Sequence, residues 1–178
     1  VASVFTHAAV AAAITFVARP LGNPRRFYAA AAFCAVAPDL DVIGFQFGID
    51  YGHVLGHRGL SHSLVAAAAL GTLFTWALFR GDAWTSAQRT RALVVFALCT
   101  ASHGALDALT NGGMGIAFFA PLENSRYFLP WRPIQVSPIG IAAFFSEWGL
   151  AVLRSELVVV WLPCAAACGL VALLRRRG

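Results

Sequence analysis

The sequence predicts an all-α, polytopic integral membrane protein. Two observations carry this. Hydrophobic residues make up 59% of the 178 residues and charged residues only 12%, about half the usual share of a soluble domain. The mean hydropathy is +0.71, and the apolar residues fall into five long runs separated by arginines. The length suits one domain, residues 1–178. A disordered chain, a coiled coil and a basic nucleic-acid-binding tail are excluded by composition. The net charge of +5 comes from 13 basic residues, all of them Arg. They sit between apolar runs rather than in a basic stripe, so nucleic acid is not an expected partner.

The first run is Val4 to Ala18, with no basic segment before it of the kind a cleavable signal needs. The second starts at Phe27 and breaks at Pro38. At 1.5 Å per residue these two reach about 22 and about 16 Å, short of a roughly 30 Å hydrocarbon core. The third, fourth and fifth runs are Ser61 to Phe79, Ala92 to Leu109 and Glu156 to Leu174. They reach about 26–29 Å and predict full spans. Between the last two lies a long segment, 111–155, with a helix signal of its own. Ser137-Pro138 reads as an N-cap and first helical residue, and Phe144, Phe145 and Trp148 predict a helix at the membrane interface. The four cysteines lie inside apolar runs and read as small buried hydrophobes.

Arginine placement orients the five runs. Arg19, Arg25, Arg26, Arg80, Arg89, Arg91 and Arg175 to Arg177 fall on one side. Arg58, Arg126, Arg132 and Arg154 fall on the other. The excess predicts an inner-membrane protein with its C-terminus in the cytoplasm and the 111–155 segment outside.

Ionisable residues at membrane depth are costly and therefore functional suspects. His7, Asp39, Asp41, His57, His62, His103 and Asp107 all map to the outer ends of their runs. His103 and Asp107 are four apart on a helix and share a face. Asp39 and Asp41 follow a helix-breaking proline, and an extended turn would point both carboxylates one way. His57 and His62 bracket a helix start. Mixed imidazole and carboxylate donors suit zinc, manganese or iron rather than calcium. The expected site holds one or two ions. Arg58, Arg126 and Arg132 would balance anionic charge, and Asp41 would accept a proton from water. Glu123 and Glu147 lie on the same side as possible further ligands. His53, Asp50, Asp82 and Glu156 read as loop or helix-end residues.

The blocks Phe5-Thr6-His7, Ala37-Pro-Asp-Leu-Asp41, Gly56-His-Arg-Gly-Leu-Ser-His-Ser63, Ser102-His-Gly-Ala-Leu-Asp107 with Asn111-Gly-Gly113, and Phe128 to Gly140 resemble the YdjM-type inner-membrane metal-dependent hydrolases. Some of that family are LexA-regulated. The resemblance implies a membrane hydrolase with those seven residues as its metal set. The order His, Asp, His, HxxxD is also similar to the zinc-dependent phospholipase C superfamily, which is all-helical and acts on phosphodiesters. That superfamily's later His and HxxxE ligands have no counterpart, since no His follows His103. The expected substrate is a membrane lipid or lipid-linked phosphoester or ester. The rival readings are a metal transporter or sensor, and a scaffold with a structural metal. A transporter needs polar residues through to the other side, and the inner halves of the runs carry little beyond Thr72 and Thr75.

Overall fold

The computed structural model describes residues 1–177; its regular elements are all helices, with no strands among the described residues. Helix α1 is Val4–Ala18. Helix α2 is Pro24–Val36 and continues as a 3-10 helix, Ala37–Phe47. Helices α3, Leu64–Leu78, and α4, Ser86–Ala108, follow. A four-residue turn, α5, is Ile141–Phe144, and α6 is Glu147–Arg177.

The local chemistry sets these boundaries. Ser3 caps α1, Asn23 caps α2 with Pro24 in its first turn, and Ser63 caps α3. Thr85 and Gln88 form a reciprocal capping box that starts α4 six residues before the apolar run at Ala92. Pro38 ends the α-helical ladder of α2 but not the helix, which tightens to 3-10 geometry and carries Asp39 and Asp41. The expected extended turn is therefore helical.

The Ser137-Pro138 start is corrected. The Ser137 amide donates to the Val1 carbonyl at 2.8 Å, and Gly140 takes φ 108°, outside helical space. The N-cap is instead Ser146, whose side chain accepts from the Trp148 amide. From there one helix runs to Arg177, through the positions where the sequence suggested an interfacial helix followed by a separate span. A π-helical turn at Leu157–Trp161 lies within it.

The helices alternate in direction, so their ends form two layers. At one end lie the finish of α1 and α3, the start of α2 and α4, and the finish of α6. Arg91 donates there to the Ala18 and Arg19 carbonyls. Arg175 donates to the carbonyls of Phe16 (3.0 Å) and Val17 (2.7 Å). These guanidiniums satisfy the last carbonyls of α1, where the helix dipole favours cations. Small residues let α1, α2 and α4 pack closely around Phe27 and Phe96: Ala11, Ala31, Cys34, Ala35, Ala92 and Cys99 are all buried. Gly71 brings α3 against α4, since a Cβ there would lie 2.9 Å from that of Ala97.

Pro24–Phe47 and Glu147–Arg177 are long and apolar enough to cross a membrane, the latter with mean hydropathy 2.5. Helices α1 and α3 are apolar but have only 15 residues each. The fold is that of an α-helical membrane protein; length alone does not make all five runs spans.

Candidate metal centre

The opposite end of the bundle gathers the polar residues. Each comes from a helix terminus: His7 from the first turn of α1, Asp39 and Asp41 from the 3-10 extension of α2, His62 from just before α3, and His103 and Asp107 from the end of α4. His57 comes from the loop between the 3-10 helix and α3. The segment 109–140 covers this end. Its strand-like contacts are two isolated bridges, Thr110 with Ile134 and Ile116 with Tyr127.

Four donor atoms converge at the centre. His62 Nε2 lies 3.0 Å from His103 Nε2 and 3.6 Å from both Asp39 Oδ1 and Asp107 Oδ2. His103 Nε2 lies 3.3 Å from Asp39 Oδ1 and 3.6 Å from Asp107 Oδ2. A tetrahedral ion with ligand bonds of 2.0–2.1 Å has edges of about 3.3–3.4 Å, and these distances scatter around that value. Asp39 Oδ1 and Asp107 Oδ2 have no hydrogen-bond partner although buried.

The outer atoms of the same rings explain why the inner ones are free. His103 Nδ1 donates to the Ala35 carbonyl at 2.6 Å. His62 Nδ1 lies 3.2 Å from Asp41 Oδ2 and 3.0 Å from Ser61 Oγ. Protons held on Nδ1 would leave both Nε2 lone pairs directed at the centre, beside two carboxylate oxygens. Such a set suits a cation, and the outer partners are those that orient a metal-bound histidine. The residues present fit a divalent ion.

Asp41 stands behind this set. Its Oδ1 accepts from His57 Nδ1 at 2.6 Å, and its Oδ2 from Ser61 Oγ at 2.5 Å and the Arg58 amide at 3.2 Å. Asp41, His57 and His62 form a second cluster of metal-capable groups sharing His62 with the first. Arg58 makes this possible through a left-handed backbone, φ 65°, that directs its amide at Asp41. Its fully buried side chain turns the other way. The guanidinium donates to the Gly112 carbonyl (2.8 Å) and Thr110 Oγ1 (3.0 Å), with Nε 3.6 Å from Asp107 Oδ2. Gly113 must be glycine for this: its φ is 90°, and a Cβ would strike the guanidinium.

His7 is fully buried and stacks on His103 with ring centroids 3.7 Å apart. Its Nε2 is 3.5 Å from Asp107 Oδ1, which accepts from the Ala2 amide at 2.7 Å. It flanks the four-atom cluster rather than entering it.

The other predicted residues stand apart from the convergent atoms. Arg126 donates to the carbonyls of His57, Tyr51 and His53, which ties down the loop carrying His57. Arg132 is exposed, with its guanidinium over the Phe128 ring. Glu123 is exposed, and hydrogen bonds from Tyr127 and Ser125 hold it below the usual carboxylate range. Glu147 is exposed in the first turn of α6. Neither glutamate belongs to the metal-capable groups among the described residues.

Sequence reasoning missed several contributors. Ser61, Thr110 and Gly112 lie in quoted blocks, but their partners are set by the tertiary fold. Glu156 read as a helix-end charge, yet it is fully buried and accepts from the Ser3 amide and Ser3 Oγ, both at 2.5 Å. Its signal was an acid inside an apolar run.

The family of YdjM inner membrane proteins matches residues 3–178. The chain belongs to this family. It is 37% identical over 174 residues to the inner membrane protein YbcI of Escherichia coli strain K12, covering 98% of this chain and 99% of that protein. No solved structure matches. Membership makes this an inner membrane protein, as the sequence predicted, and the structure gives it a buried His/Asp group able to hold a metal ion.

Proposed function

We propose that this YdjM-family protein is a membrane-embedded metal-dependent hydrolase acting on an ester or phosphoester of a lipid or lipid-linked substrate. One observation carries the reading: four lone-pair donors converge at tetrahedral spacing in a buried site whose neighbour is an apolar cavity. Asp39, His62, His103 and Asp107 would hold the ion, zinc by preference given two nitrogen and two oxygen donors. A divalent ion bound there would supply Lewis acidity and bring the pKa of water at the site to about 7.

The chain's own residues supply the rest. Asp41 was the expected proton acceptor, but both its oxygens already accept hydrogen bonds. The role passes to His57. With its Nδ1 proton on Asp41, its Nε2 is the free acceptor, and His57 lines the cavity beside Asp39. Arg58 holds Asp107 in place and contributes positive charge behind it. The arginine-rich end would face the cytoplasm and the site the outer leaflet, with α1, α3 and α4 inserted beside α2 and α6.

Purified protein should contain close to one tightly held zinc, and His103→Ala should remove both the zinc and the release of product from a phospholipid panel. Full metal content and full hydrolysis in the variant would refute the site. Metal retention with no turnover by the wild type on any lipid, and zinc uptake into proteoliposomes, would favour transport instead.

A further inference from the structure

A cavity of about 320 Å³ opens beside the metal-capable cluster. It lies between the start of α1, the 3-10 helix and the 137–145 segment. Its polar side chains are those of Ser3, Asp39, His57 and Ser137, and the rest of the lining is apolar residues of segments 1–5 and 138–145 together with Val42. The volume lies at the lower end of the range of small-molecule sites, about 300–1,000 Å³. At about 30 Å³ for each small group, the liquid share of one water, it holds about ten methylenes. The rim is apolar toward the surroundings: Phe145 is 80% exposed and Phe5 55% exposed. The Phe5 and Phe144 rings pack against each other at this rim, with centroids 6.0 Å apart.

A ligand matched to this shape is polar at one end, where Asp39 and His57 stand, and aliphatic along the rest. It must also reach a rim of exposed phenylalanines in a protein surrounded by lipid. We infer that the cavity is an acyl-chain site, which seats one hydrocarbon chain of a membrane phospholipid with its headgroup linkage at Asp39 and His57. The inference rests on the hydrolase reading for the purpose of the headgroup's position, but occupancy by the chain does not require turnover. Phe5, Val42, Ile139 and Phe144 are then specificity residues, and Ile139 and Val42 set the length of chain accepted. Lipid enters sideways past Phe145 rather than from water.

The test uses the full chain in phosphatidylethanolamine–phosphatidylglycerol liposomes containing a small fraction of phospholipid with a terminal diazirine on one acyl chain. After irradiation, labelled peptides are mapped by mass spectrometry and zinc per chain is measured on the same samples. Labels should appear on the 137–145 segment and the 3-10 helix. Val42→Trp and Ile139→Trp should each lower that labelling by about tenfold, the loss expected when two buried methylene groups are denied their place. Labelling of Leu170 and Leu173 on the outside of α6, and zinc content, should stay as in the wild type and report that both variants are folded. Equal labelling of the cavity in wild type and both variants overturns the inference, as does labelling confined to α6. A covalent dimer through the 137–145 segment in place of lipid label also overturns it, since the occupant is then a second copy. Loss of zinc on His103→Ala with cavity labelling intact leaves the acyl site standing, so failure of the catalytic reading registers separately.

Discussion

Asp41→Asn separates a residue that orients the site from one that binds the ion. Asp41 touches the cluster through His62 alone: its Oδ2 is 3.2 Å from His62 Nδ1, while His62 Nε2 faces the four-atom centre. Asparagine keeps the shape but places an N–H₂ donor where one carboxylate oxygen accepted. Either His57 or His62 then loses its acceptor, and with it the tautomer that presents a lone pair on the far side of the ring. Loss of such an outer partner typically weakens metal binding about 10–100-fold, which is about 1.4–2.7 kcal/mol. Removing a ligand costs more. If the roughly 12 kcal/mol of a four-ligand zinc site is shared evenly, one ligand carries about 3 kcal/mol, above about 100-fold. Zinc affinity is measured by competition with a chromophoric chelator in detergent, for wild type, Asp41→Asn and Asp107→Asn. Asp41→Asn should fall in the smaller class and Asp107→Asn in the larger. If Asp41→Asn abolished binding as completely as Asp107→Asn, Asp41 would be a ligand. A change under about threefold would mean that it does not orient His62 at all.

Four further substitutions test the scaffold, each read by thermal unfolding in detergent. Arg58→Ala leaves the fully buried Asp107 carboxylate without its cation, and should destabilise by about 3–5 kcal/mol when zinc is chelated and by less when it is bound. Glu156→Ala strands the Ser3 amide and hydroxyl in a buried position; about 2–4 kcal/mol should be lost, with a lower melting temperature at unchanged zinc stoichiometry. Gly71→Val drives side-chain atoms into Ala97 and the Leu93 carbonyl, for about 1–3 kcal/mol, whereas Gly169→Ala, with open space around its Cβ position, should be nearly silent.

Helix existence was legible in the sequence where hydropathy and helix end coincide. Val4–Ala18 has the same bounds by both routes, because Ser3 supplies a cap and Arg19-Pro20 a stop. The start of α4 was misplaced because its first turn is polar: Thr85 and Gln88 specify it by reciprocal hydrogen bonds, which an apolar count does not register. In the sequence Pro38 looks like a break because proline removes a donor, but a proline at the start of a 3-10 turn removes none that is needed. The break between Gly140 and Ser146 went unseen for the opposite reason, since continuous apolar residues hide a change of backbone. Within the site, the His and Asp positions stood out because charge is scarce in this chain. What each donor atom faces was not legible. It depends on contacts such as Ala35 carbonyl to His103 and Arg58 to Gly112, which join residues 68 and 54 positions apart.

The short helices and the polar site have a common cause. With 15 residues each, α1 and α3 reach about 22 Å, less than a hydrocarbon core of roughly 30 Å. With α1 and α3 inserted as proposed, their other ends would sit in the arginine layer, where Arg91 and Arg175 close the carbonyls of α1, and the missing length would fall at the site. Irregular chain fills it, and such chain is tolerated at membrane depth only where protein satisfies its backbone. That condition is met: the Leu64 amide donates to the Phe118 carbonyl (3.0 Å), Leu129 to Ala108 (2.9 Å) and Asn111 to Ile134 (2.9 Å). A helix that ran on would present its flank to the centre and a lipid-facing flank behind it. A helix that stops presents its terminus. Four termini meeting at one depth bring His7, Asp39, His62 and Asp107 together with no long polar stripe on any helix, which is how a chain with only eight acids concentrates three of them in one place.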